Sequence, residues 1–186
     1  LFTHGLSFCV ELHYTLVQIR EEAIMAAVPQ VDPDIGRYVT VREYAPADFE
    51  TVYAIDCACF PEGRRMSREK LLHHLTIAES YSLVAENRGE IVGYALACLQ
   101  AKGLGYLKVL AVRPAIQNRG IGSRLLAEIE AWMWERNAQA VMLETVNDEL
   151  SARRFYERHG YFLMETLQSF YQDGCGAFRM LKDPDM

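Results

Sequence analysis

Two glycines stand where a helix must begin. Residues 112–130 read VRPAIQNRGIGSRLLAEIE, with apolar positions at helical spacing from Ile121 onward, yet Gly120 and Gly122 occupy the entry. Glycine is the poorest helix former after proline, so its place at this boundary needs a local reason. A helix start exposes N–H groups with no intrahelical partner and carries partial positive charge. Removing side chains there lets an anion approach the main chain. Arg113, Arg119 and Arg124 flank the stretch, and no acidic residue falls between Arg113 and Ser123. The preceding YLKVLAV is rich in strand formers. A strand, a loop and a glycine-opened helix make an anion nest suited to a diphosphate. The bland alternative is a tolerated glycine pair beside an incidental arginine cluster.

Two familiar phosphate loops do not match. A Walker A loop requires Gly-Lys-Ser/Thr, which is absent here. The dinucleotide fingerprint requires a third glycine where this chain has Leu125.

The rest of the chain alternates between two periods. YVTVREY (38–44) alternates as a strand, and Pro46 opens a helical pattern through Phe49, Val52, Ile55 and Cys59 that Pro61 stops. Ser67 is a helix N-cap for the segment that follows. YSLVAE and EIVGYALACLQA, joined by Asn-Arg-Gly, read as a hairpin, and AKGLG turns into YLKVLAV. After the glycine-opened helix, which runs to about Asn137, come a strand (VMLETV), a helix (SARRFYERH) closed by Gly160, and two strands (YFLMETL, AFRMLK). This order predicts an α/β protein, a mixed sheet of about seven strands with about four helices packed on its faces. Residues 1–36 carry neither period and end in PQVDPDIG, so they read as an N-terminal appendage or linker, and 37–186 as the domain.

Several classes are disfavoured. A formal charge of −6 opposes general nucleic-acid binding. No apolar run approaches the roughly 20 residues of a membrane span. The opening LFTHGLSFCVEL lacks the basic n-region of a secretory signal. The 5 cysteines are scattered and match no zinc framework, which points to reduced thiols in a cytoplasmic protein and to no metal.

Leu-Ala-Val-Arg-Pro followed by Gln117-Asn118-Arg119-Gly120-Ile121-Gly122 resembles the acetyl-CoA pyrophosphate loop of GNAT N-acetyltransferases. Ala152-Arg-Arg-Phe-Tyr156-Glu-Arg-His-Gly160-Tyr161 resembles a second element of that family, and the likeness covers roughly 38–182. It implies the acyl-CoA N-acyltransferase fold and acetyl-CoA as co-substrate. It also implies that Gln117, Asn118, Arg119, Gly120, Ile121, Gly122 and Ser123 hold the pyrophosphate. The main chain of Leu110, Ala111 and Val112 would then serve the oxyanion, on a strand that splays from its neighbour. The Asn that the family places seven residues before the tyrosine is Glu149 here, so Asn147 is the substitute considered for a coenzyme contact.

Two side chains carry the chemistry on this reading. Tyr156, a phenol protonated at neutral pH, can hand its proton to the departing thiolate; the alternative is a core aromatic. Glu144 is a carboxylate inside an otherwise apolar strand, costly unless paired or used. Its spacing from Tyr156 resembles the base–acid pair of ribosomal-protein-alanine N-acetyltransferases; the alternative is a salt-bridged structural residue.

The ending QSFYQDGCGAFRMLK (168–182) resembles that of N-terminal acetyltransferases, which names Tyr171 on the acceptor side, with Phe60 and Pro61 from the loop CFPEGRRMS. The acceptor implied is a peptide or protein N-terminus, a ribosomal protein among the candidates. An α-amine costs roughly 3–4 kcal/mol less than lysine to deprotonate at neutral pH. A small amine as acceptor, and a non-catalytic acyl-CoA-binding regulator, are the rival readings.

Overall fold

The alternating segments pair into one seven-stranded sheet with strand order β1-β2-β3-β4-β5-β7-β6. The computed structural model describes residues 38–184; the expected appendage, 1–36, lies outside the described residues. In chain order the elements are β1 (Val39–Glu43), α1 (Phe49–Cys59), α2 (Arg68–Thr76), β2 (Ser80–Asn87), β3 (Glu90–Gln100) and β4 (Leu104–Val112). Then follow α3 (Ile121–Glu135), β5 (Ala140–Val146), α4 (Leu150–Arg158), β6 (Phe162–Leu167) and β7 (Ala177–Lys182). Neighbouring strands are antiparallel except β4 and β5, which run parallel.

Local chemistry sets the boundaries. Arg88 and Gly89 take φ of 51° and 85°, the mirror-image turn that matches strand twist between β2 and β3. The Ser67 hydroxyl accepts the Lys70 N–H at 3.2 Å and opens α2. The helix expected from Pro46 begins with a 3-10 turn, Pro46–Asp48, and turns α-helical at Phe49. The long helix ends at Glu135, before Asn137 enters the left-handed region at φ 60°.

Alternation along β3 divides the core between two faces. Tyr94 packs with Phe49, Val52 and Ile55 of α1 and Leu71 and Leu75 of α2. On the other face Leu125, Leu126, Ile129 and Met133 of α3 are fully buried. Gly93 lets that face close: a Cβ there would lie 2.8 Å from the Ala111 carbonyl oxygen and 3.3 Å from Leu125 Cδ1.

The feature that positions the site is a break between β4 and β5. They pair from Leu104 with Ala140 to Leu107 with Leu143, and no further. At that point the β3–β4 register slips: Leu96 faces Val109, Ala97 faces Leu107, and Lys108 is left over as a bulge. Beyond it, Glu144–Val146 of β5 pair with β7 alone. The strands part, as the family resemblance implies, and Lys108–Val112 borders a wedge-shaped gap.

Candidate active site

The open edge of β4 supplies main-chain groups. Arg113 N–H donates to the Val92 carbonyl at 2.9 Å. Alternation in an antiparallel ladder then turns the N–H and C=O of Val112 and Leu110 away from β3, toward the gap, and those of Ala111 toward β3. The Val112 carbonyl indeed accepts from Cys59 Sγ at 3.2 Å and from Gln117 Nε2 at 3.0 Å.

Past that edge the chain makes a short 3-10 turn and reaches the mouth of α3. Asn118 has φ 60°, and Gly120, the N-cap, has φ 81°. No side chain caps the helix, and the first turn contains no acid. The first helical bond runs from Arg124 N–H to the Gly120 carbonyl at 3.1 Å, so the N–H groups of Ile121, Gly122 and Ser123 have no intrahelical acceptor. A Cβ on Gly122 would meet the Phe155 ring at 3.6 Å. The expected ring of arginines is only partly there. Arg113 turns to the Ile91 carbonyl at 3.1 Å and to Glu90, while Arg124 donates to the Val39 carbonyl. Both reach back to the strands because main-chain acceptors lie within range of their forks. Arg119 remains in the loop, half-buried.

At the β5 side of the gap, Glu144 is held at both oxygens. Its side chain is 5% exposed and pairs with Arg179 Nε at 2.7 Å. The Tyr106 hydroxyl donates to the second oxygen. Arg179 stands opposite Glu144 in the β5–β7 register and also pairs with Glu165. Tyr156 is buried on α4, edge-on to Phe155 and Tyr161 with ring centroids 5.1 and 5.6 Å away. Burial pushes its phenol well above the ordinary range, and the nearby Tyr171 adds to that. Among the described residues its hydroxyl has no hydrogen-bond partner. Burial, and then the charge of Glu144, push Tyr171 up to about 12. Tyr171 is therefore within electrostatic reach of Glu144, Tyr106 and Tyr156 at one end of the gap. Among the described residues no cluster of His, Cys, Asp or Glu is arranged to hold a metal ion.

The pattern of the acetyltransferase (GNAT) family matches residues 49–161. The chain belongs to that family. It is 31% identical to an uncharacterised N-acetyltransferase of Methanocaldococcus jannaschii, over 76% of this chain and 90% of the relative. It is 27% identical to an N-alpha-acetyltransferase of Sulfurisphaera tokodaii, over 78% of this chain and 93% of the relative. Among solved structures it resembles Ard1 from Thermoplasma volcanium, with TM-score 0.71 and 26% identity, covering 78% of this chain and 97% of that one. The ribosomal-protein-S18-alanine N-acetyltransferase from Escherichia coli shares the fold, with TM-score 0.70 and 19% identity over 80% and 95% of the two chains. The protein is an acetyl-CoA-dependent GNAT acetyltransferase.

The two loops that the sequence resemblance names for the acceptor side are tied together in this GNAT domain. Arg64, between α1 and α2, pairs with Asp173 at 2.5 Å and Asp148 at 2.9 Å. Gln172 N–H donates to the Gly63 carbonyl at 2.9 Å. Gly63 has φ 89°, and a Cβ there would lie 3.2 Å from Asp173, so the approach requires glycine. Phe60 packs against the α1–α2 core while Pro61 is exposed, and Tyr171 is half-buried between β6 and β7. Asn147 is committed to the same hairpin: its N–H bonds the Gly176 carbonyl at 3.2 Å and its side-chain oxygen lies 3.6 Å from Cys175 Sγ.

Three residues of this end escaped the sequence reading: Tyr106, Arg64 and Arg179. Arg179 carried a usable signal, a charge inside the apolar strand AFRMLK, the same oddity that singled out Glu144. Tyr106 carried none, since an aromatic in a strand is ordinary.

Proposed function

We propose that this acetyltransferase moves the acetyl group of acetyl-CoA onto the α-amine of a protein or peptide N-terminus in a cytoplasmic setting. The observation that carries the reading is the tie between the acceptor loops. Arg64 on Asp148 and Asp173, and Gln172 on Gly63, join the α1–α2 loop to the β6–β7 hairpin, and on this reading the two form the walls of a narrow passage to the acceptor end of the gap. A chain terminus can enter such a passage end-on. The N-alpha-acetyltransferase and Ard1 similarities support the same acceptor class.

The chemistry follows from the groups at hand. The uncapped mouth of α3, Gln117 to Ser123, holds the diphosphate through main-chain N–H groups. The amine nitrogen attacks the thioester carbonyl, forming the C–N bond. Main-chain N–H groups on the open edge of β4, at Leu110 and Val112, stabilise the oxyanion. Glu144 takes the proton from nitrogen, its carboxylate held in place by Arg179 and Tyr106. The C–S bond breaks as Tyr156 gives its proton to sulfur. Burial, which keeps the phenol protonated, suits it to that step. Water or buffer then returns the proton from Glu144 to Tyr156.

The test is acetyl-CoA turnover against three substrate sets: peptides with free first residues, N-terminally blocked peptides carrying internal lysine, and small free amines. Turnover is expected for the first set. Activity confined to free amines rejects the protein-acceptor reading, and activity on blocked peptides rejects the α-amine preference.

A further inference from the structure

One hydroxyl at the mouth of α3 is already engaged. Ser123 Oγ lies 2.9 Å from Nε2 of His159, the residue that closes α4, and His159 Nδ1 lies 2.8 Å from the Phe155 carbonyl oxygen. A carbonyl oxygen only accepts, so Nδ1 carries a proton. In the neutral ring Nε2 is then a bare lone pair, and Ser123 spends its single hydroxyl proton on it. When the ring is charged both nitrogens donate. Nε2–H then points at Ser123 Oγ, and the serine proton is released for an anion over the helix mouth.

We propose that His159 is a proton-controlled positioning residue for the coenzyme's diphosphate, turning the Ser123 hydroxyl from a donor to histidine into a donor to phosphate. The inference rests on the reading that the α3 mouth holds the diphosphate.

The surroundings leave the ring able to change charge. It is half-buried, 4.4 Å from the Phe155 ring, and no carboxylate among the described residues is ion-paired with it. On α3, Arg124 is held by the Val39 carbonyl. On α4, Glu157 pairs with Arg153 at 2.8 Å, leaving Arg154 and Arg158 as further cations of that helix. Lys182 of β7, whose Cε would lie 3.6 Å from a Cβ on Gly160, pairs with Glu130. Arg119 precedes α3. The arginines oppose a charged ring, the C-terminal end of α4 favours it, and an anion at the mouth adds to the favourable side. The charged form of the ring is then the one that binds the diphosphate better. Affinity is therefore highest where the ring carries both protons and falls as rising pH removes one.

The probe is acetylated dephospho-CoA, which lacks the phosphate monoester whose second ionisation near pH 6 would overlay the signal. Calorimetric titration of the wild type should give binding about fivefold tighter at pH 5.5 than at pH 8, the scale of one gained charge-assisted hydrogen bond. His159→Gln and His159→Phe should bind with little pH dependence, and Ser123→Ala should lose most of the slope although His159 is intact. Thermal melts confirm that each variant folds, and either histidine variant suffices alone. Absence of binding at every pH overturns the diphosphate reading itself. Binding with the same slope in the wild type and a folded histidine variant overturns the role of His159. A full slope in Ser123→Ala removes the serine from it. Nitrogen-15 spectra of the imidazole should show the neutral ring protonated at Nδ1; a proton on Nε2 instead overturns the proposal.

Discussion

Replacing Glu144 by Gln separates the two roles that its surroundings allow, a base and a strut for Arg179. The exchange removes a charge and almost no volume. The amide oxygen can still accept from Arg179 Nε, now 2.7 Å away, and the amide N–H can face the Tyr106 oxygen. What is lost is the charge-assisted part of the Arg179 bond. Hydrogen bonds to charged groups contribute roughly 1.5–3 kcal/mol against roughly 0.5–1.5 for neutral ones. Arg179 keeps Glu165 as a partner and is 28% exposed, so the loss sits at the low end, about 1 kcal/mol. For a domain of this size that is a fall of about 2–4 °C in Tm. A missing general base costs far more in rate, about 10²–10⁴-fold, or about 3–5 kcal/mol of barrier. Steady-state turnover of an N-terminal peptide at pH 7 should therefore show kcat down by at least about a hundredfold, with KM for acetyl-CoA nearly unchanged. The deficit should narrow toward pH 8, where the α-amine deprotonates unaided. A variant that melts a few degrees lower but retains kcat within about threefold of wild type refutes the acid–base scheme and leaves Glu144 as a strut.

Tyr156→Phe should slow turnover by at least about tenfold while coenzyme binding and Tm hold, because the lost hydroxyl has no partner among the described residues; equal turnover removes Tyr156 from the mechanism. Burial raises that phenol, so wild-type kcat should show no alkaline loss attributable to it below about pH 10, and a fall tracking its ionisation nearer neutrality contradicts the assignment. Gly93→Ala places a Cβ 2.8 Å from the Ala111 carbonyl oxygen and should cost about 1–3 kcal/mol by overpacking, with KM for acetyl-CoA raised because β4 is pushed; an unchanged melt and KM contradict the close approach. Arg64→Ala unties Asp148 and Asp173 and should raise KM for peptide more than KM for acetyl-CoA, with blocked lysine peptides becoming substrates; proportional changes in both contradict the passage.

Periodicity carried most of the fold, because each strand and helix buries one face and leaves the other wet. The order of elements, the strand pairings implied by Asn87-Arg88-Gly89 and the Ser67 cap all follow from residues within a few positions of one another. The glycines of the α3 mouth were legible for the same reason. The end of the gap around Glu144, proposed as catalytic, was legible only in fragments. Glu144 betrays itself as a charge in an apolar run, but its partners come from β4 and β7, and joining them needs the sheet order in space. Arginine destinations were hidden too: a long side chain at the right address can still spend its fork on the Val39 or Ile91 carbonyl. The loop tie through Arg64 depends on residues far apart in sequence, Asp148 and Asp173, which no local pattern links.

The parting of β4 from β5 at Lys108 also makes the sheet mechanically weak at its centre. One half is β1 through β4, the other is β5 through β7, and the seam between them is sewn only from Leu104 to Leu107. Hydrogen exchange should resolve the halves as separate cooperative units, with amides beyond the seam, at Leu110 and Val112, exchanging ahead of those inside it. A molecule lodged along the unsewn length would act as the missing stitches. Its affinity would then register as heat resistance of the whole protein.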